Sequence, residues 1–178
     1  MRRNKLLDLL DDYASRFPGE DVTGFIGFVR RQPRCFDRDC FDDGHITGSA
    51  WVVDTAGVRT LLTHHAKLEA WLQPGGHNDG DADPLAVAWR EAQEETGLTV
   101  VPVDETVLDV DVHAIPAHGS DPPHFHYDVR FAFRVVGSHA YQVSAESLDL
   151  KWVPMDELTS VTSEESVLRM ARKWGLRR

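Results

Sequence analysis

The residues best suited to chemistry lie in WREAQEETGL, residues 89–98, where three glutamates follow an arginine. On a wheel of 100° per residue, Glu91, Glu94 and Glu95 fall within about 100° of one another. Like charges at these spacings repel by about 0.2–0.5 kcal/mol per pair, and anions in a last turn oppose the helix dipole. A divalent cation would remove both penalties, because hard cations such as Mg²⁺ take carboxylate oxygens together with substrate phosphates and water. The plainer alternative is a solvated acidic face. Position favours the cation. The acids flank an apolar stripe of Leu85, Ala88, Trp89 and Ala92, and GGHNDGDAD just upstream brings two glycines where backbone can approach a ligand.

Histidines form a second group. Seven of nine fall between residues 64 and 126: His64, His65, His77, His113, His118, His124 and His126. In HFHYDVRF, strand alternation puts His124, His126 and Asp128 on one face. Such a set suits a transition metal, the lining of a substrate pocket, or hydrogen bonding at a sheet surface. His77 follows Gly75-Gly76 directly and is the candidate to face a ligand.

These side chains need a scaffold. The strongest helix signal runs from Asp83, a cap, through Pro84 at the first position to Gly97 at the stop. Before it, ITGSAWVVDT and VRTLLTHH are β-rich runs separated by a turn over DTAG. AKLEAWLQPGGHNDGDAD is expected to be a loop with one short apolar piece, Trp71-Leu72. After the helix, TVLDVDVHAIPA and HFHYDVRFAFRVV read as long strands joined through HGSDPP, LDLKWVPM as another, and SEESVLRMARKWG as a closing helix. Strands with a helix between them predict an α/β sandwich. Residues 1–44 differ in texture. MRRNKLLDLLDDYASRF spaces Leu6, Leu9, Leu10, Tyr13 and Phe17 as an amphipathic helix, and GEDVTGFIGFVRR is a second helix ended by Pro33. The expected division is a helical extension over 1–44 and one domain over 45–178.

Composition bounds the function. The 178 residues carry 29 acidic against 19 basic side chains, a net charge of −10. That excludes general attraction to nucleic acid or anionic lipid, although a bound cation could still present a phosphorylated ligand with positive charge. No apolar run reaches the eighteen or so residues of a membrane span, and Asp8, Asp11 and Asp12 interrupt what would be the core of a signal peptide. The expected location is cytoplasmic. Cys35 and Cys40 are read as free thiols, since two cysteines make no disulfide framework and CxxxxC without nearby partners is a weak metal signal.

Gly76, Arg90, Glu91, Glu94, Glu95, Gly97 and Leu98 stand at the spacings G-x5-E-x7-R-E-U-x-E-E-x-G-U, with U apolar, and the chain resembles the Nudix hydrolase family. HHAKLEAWLQPGGH with DVHAIP and HFHYD is similar to a bacterial subgroup of it. The resemblance implies a Nudix-type α/β/α sandwich with a mixed sheet, from roughly Ile46 to Leu158. It also implies hydrolysis of a diphosphate linked to another group, often a nucleoside diphosphate derivative, by water attack at phosphorus. Mg²⁺, with Mn²⁺ as an alternative, would be held by Glu91, Glu94, Glu95 and the Gly75 backbone. Arg90 would orient a carboxylate, one glutamate or a loop carboxylate would serve as general base, His77 would touch substrate, and Glu146 is a further loop carboxylate. The box departs from the pattern at Ala82, where a glutamate is usual; Asp79, Asp81 and Asp83 are the neighbouring acids. The implied partner is a small phosphorylated molecule, and residues 1–44 could cap the pocket, build a homodimer or pack on the sandwich. Two rival readings share the fold. One is a non-catalytic nucleotide-binding module, which the three retained glutamates oppose. The other is an isoprenoid diphosphate isomerase, which needs a cysteine where this chain has WLQPGGH.

Overall fold

The computed structural model describes residues 2–66, 69–145 and 147–177; Glu146 lies outside them. Two helices, α1 (Arg2–Arg16) and α2 (Thr23–Arg31), precede a mixed sheet of β1 (His45–Val53), β2 (Arg59–His65), β3 (Ala70–Leu72), β4 (Gly75–His77), β5 (Val100–Pro102), β6 (Asp109–Ile115), β7 (His124–Val135) and β8 (Ser147–Pro154). Helix α3 (Pro84–Thr96) crosses between β4 and β5, and α4 (Leu158–Val161) and α5 (Glu165–Leu176) close the chain. This is the α/β architecture expected. Among the described residues, no helix is long and apolar enough to cross a membrane.

The sheet is organised on β1 and β7, which run parallel in register from His45↔His126 to Val53↔Arg134. Each has different antiparallel partners at its two ends. β1 meets β4 near its start and β2 near its finish, while β7 meets β6 and then β5. The region expected as a loop after β2 thus contains two three-residue strands. Neither has the alternation that marks a strand in a sequence, and β4 consists of two glycines and a histidine.

β1 is buried along its whole length because both of its faces are covered. Ile46, Ala50 and Val52 pack with Leu85, Ala88 and Ala92 of α3, and with Val129, Phe131 and Phe133 of β7. Trp51 and Val53 pack on the other side with Val167, Met170 and Trp174 of α5. Close approach of α3 requires Gly48, where a Cβ would lie 2.6 Å from the Pro84 carbonyl oxygen. Leu6, Leu10, Tyr13, Phe25 and Phe28 of the first two helices share the core with β1 and β7. Phe28 stacks on Tyr127 of β7, with centroids 3.7 Å apart and planes 6° apart.

A buried ion network lies across the face of β6 and β7. Arg130, fully buried, donates to Asp128 (2.7 Å) and Asp109 (3.0 Å), while Arg169 of α5 reaches Asp109 and Asp111, both at 2.8 Å. Lys173 joins Asp109 to Glu20, whose carboxylate also accepts from Tyr13. Burial alone would raise the Asp109 carboxyl, but Arg169, Arg130 and Lys173 hold it below the usual carboxylate range.

Candidate functional site

Helix α3 begins and ends where the sequence says it should. Asp83 Oδ1 accepts from the Ala86 amide at 3.4 Å, Pro84 follows, and Gly97 closes the helix at φ 67°. Its buried face, however, differs from the expected stripe. Trp89 stands at the rim, its indole nitrogen donating to the Val100 carbonyl at 2.7 Å. Burial instead covers Pro84, Leu85, Val87, Ala88, Ala92, Glu95 and Thr96. On the wheel this rotates the covered arc by about 40° toward the glutamates. The acids therefore do not merely flank the core. Glu95 is only 8% exposed and the Glu91 side chain 17%, whereas the Glu94 side chain is 65% exposed.

The buried pair meets β4. Glu95 Oε1 accepts the Gly75 amide at 2.8 Å. At Gly76 a Cβ would fall 2.6 Å from the Glu91 carboxyl carbon, so the carboxylate occupies the space a side chain would take. Arg90 donates to Glu91 at 2.9 Å and to the His77 carbonyl at 3.4 Å, and lies 3.9 Å from Glu94. It thus ties two box acids to the glycine strand. A Gly76→Ala replacement should push only the flexible end of Glu91 aside. We expect the melting temperature to move by no more than a few degrees while kcat/KM falls about a hundredfold, a loss that a misplacement of one ångström can cause. Thermal unfolding and steady-state kinetics on the same preparation check this.

The acids near Ala82 have other partners. Asp83 caps α3 and pairs with Lys5 at 3.0 Å, Asp81 accepts the Asp83 amide at 3.1 Å, and Asp79 lies 3.7 Å from Arg38 in a positive-φ turn. Ala82 packs against the core.

The histidines divide. His64 stacks on Trp71, and His118 pairs with Asp121 in an isolated bridge. His77, His113, His124 and His126 converge on the face of the sheet opposite α3. His45, outside the histidine-rich window of the sequence, joins them through its register with His126. Ring centroids are 4.7 Å apart for His45 and His126, and 5.1 Å for His77 with each of them. His124 Nε2 lies 3.3 Å from His126 Nε2. Asp128, on the same strand face as these two, accepts from Thr47 (2.9 Å), Ser49 (2.8 Å) and Arg130. Burial, with the neighbouring imidazoles adding to it, pushes His45 down to about 4 and lowers His126 as well. Burial, then the Arg38 charge, lowers His77.

Cys35 and Cys40 are free and buried. Burial pushes the Cys35 thiol up to about 11 and raises Cys40 as well, so both stay protonated and poorly nucleophilic.

Comparison with known proteins gives a consistent picture. A family model of the NUDIX domain matches residues 45–172. A NUDIX-family hydrolase from Clostridium perfringens is 26% identical, with TM-score 0.56 over 75% of this chain and 98% of that one. An Ap4A hydrolase of C. elegans in a binary complex is 18% identical, with TM-score 0.58 over 74% of this chain and 95% of that one. A UDP-X diphosphatase is 17% identical, with TM-score 0.58 over 95% of this chain and 80% of that one. No curated protein matches the chain.

Proposed function

The chain belongs to the Nudix family of pyrophosphohydrolases, and we propose that it hydrolyses a nucleoside diphosphate linked to another group, with a divalent cation held by Glu91, Glu94 and Glu95. One observation carries the reading: α3 presses two glutamates against the glycines of β4, Glu91 filling the space beside Gly76 and Glu95 accepting the Gly75 amide. The donors fit a hard cation, being carboxylate oxygens with the Gly75 backbone beside them. Mg²⁺ suits this set, and Mn²⁺ could replace it. Such a cation would neutralise phosphate charge and lower the pKa of a bound water. The protein's own residues do the rest. Arg90 fixes the direction of Glu91, β4 sets the distance between helix and ligand, and a glutamate or loop carboxylate accepts the proton of the attacking water. A bond from water oxygen to phosphorus forms as the bridging P–O bond breaks.

The reading treats residues 1–44 as a helical extension that packs on the sandwich through Phe25 and Phe28, and residues 45–178 as the catalytic domain. It places the enzyme in the cytoplasm, where two free thiols suit a reducing compartment. Its partner there is a small nucleotide-derived molecule. A panel of nucleoside diphosphate sugars, dinucleoside polyphosphates and nucleoside triphosphates, each with Mg²⁺ and with Mn²⁺, tests the proposal. Release of a nucleoside monophosphate or phosphate from at least one class is expected. Binding without product throughout the panel would instead identify a non-catalytic module.

A further inference from the structure

His45, His77 and His126 come from three strands, yet each offers a ring nitrogen within 4.8 Å of the others. Their meeting follows from the sheet. His45 and His126 are register partners on the parallel pair β1 and β7, and His77 stands opposite Thr47 on β4. His45 is 1% exposed. Its Nδ1 lies 3.4 Å from the Cys40 carbonyl oxygen, which fixes the proton there, and its Nε2 has no hydrogen-bond partner. A buried imidazole held in one tautomer with an orphaned lone pair is poorly explained as packing, since buried polar atoms are almost always satisfied. It is the usual state of a metal-ligating histidine, whose other nitrogen is anchored by a carbonyl or carboxylate.

We propose that His45, His77 and His126 form a second cation site, for a borderline transition ion of the Zn²⁺ class, on the sheet face opposite the glutamate helix. Three neutral nitrogen donors suit Zn²⁺, Co²⁺ or Ni²⁺ and not Mg²⁺, which takes oxygen. With Zn–N about 2.0 Å, tetrahedral ligands sit roughly 3.3 Å apart, so an ion would draw together nitrogens that already lie within 4.8 Å of one another. His124 supplies a fourth nitrogen near His126, its own Nδ1 anchored by the Pro122 carbonyl at 2.8 Å. His113 stands behind His126, with centroids 5.5 Å apart, and its Nδ1 lies 3.0 Å from Asp111. The two sites are distinct but joined by β4. Gly76 faces Glu91, whereas the next residue, His77, belongs to the imidazole cluster. An ion bound there would pin the glycine strand to β1 and β7 and hold the wall against which the glutamates rest. His77 is then a metal ligand in preference to a substrate contact.

The test uses the full chain, stripped with a chelator and titrated with Co²⁺ alone, without nucleotide. One equivalent should bind with the visible ligand-field bands of nitrogen-ligated cobalt, in the wild type and in Glu94→Gln alike. His126→Gln and His77→Gln should each lose the bands or weaken binding at least tenfold. Bands absent from the wild type, bands that survive both histidine changes, or bands lost in Glu94→Gln would overturn the proposal. A measurement that needs no variant guards against misfolding: on addition of Zn²⁺ the imidazole ¹⁵N resonances of His45, His77 and His126 should shift together. Unshifted resonances would overturn the proposal equally.

Discussion

Glu94→Gln should reduce kcat/KM by about three orders of magnitude and leave the fold intact. The carboxylate is the most exposed of the three box acids, 3.9 Å from Arg90 and two-thirds open to solvent. The amide is nearly isosteric and removes a like charge from a helix face crowded with them, so stability should shift by less than about 0.5 kcal/mol. The catalytic loss has a different origin. An ion that stabilises transition-state charge contributes several kcal/mol, and about 4 kcal/mol at 1.36 kcal/mol per decade corresponds to a thousandfold. Matched kinetics and urea melts check both halves. A rate within a few-fold of the wild type would show that Glu94 has no part in holding the ion.

The largest stability effect is expected at Arg130. Replacing it with Met leaves Asp128 and Asp109 buried with one cation fewer. Asp109 retains Arg169 and Lys173, but among the described residues Asp128 is left with Thr47, Ser49 and the 3.4 Å approach of Gln73. Removing one partner of a buried ion pair costs about 3–5 kcal/mol, which for a chain of this length lowers the melting temperature by roughly 6–20 °C. Pairing Arg130→Met with Asp128→Asn should recover a substantial part of the loss, because the uncompensated charge is then gone. Thermal unfolding of wild type, single and double variants measures this. A single variant within about 1 kcal/mol of wild type would mean that the network is far better solvated than its burial implies.

Much of this could be read from the sequence because the signals are local. Asp83, Pro84 and Gly97 bound α3 within one short stretch, and the spacing of Arg90, Glu91, Glu94 and Glu95 is fixed by the pitch of one helix. The alternation in HFHYDVRF places His124 and His126 on one face, and their facing nitrogens agree. What could not be read depends on long-range pairing. His45 and His126 are 81 positions apart in the chain and meet only because β1 and β7 run parallel in that register, which no periodicity encodes. Trp89 was expected in the core because apolar spacing alone set the stripe. The glycine wall of β4 turned the buried arc toward Glu91 and Glu95, and carboxylates do not register as core residues in a hydrophobic pattern. β4 itself, GGH, has no strand propensity, and its pairing with β1 creates it.

In the proposed reaction the glutamates of α3, with a divalent cation, direct water at phosphorus. Hydrolysis of the best substrate of the panel in ¹⁸O-labelled water with Mg²⁺ tests it most directly. One ¹⁸O is expected in one phosphoryl product, with no label in the other and no reaction when the cation is chelated. Turnover that persists without any divalent ion, or label found on carbon instead of phosphorus, would contradict it.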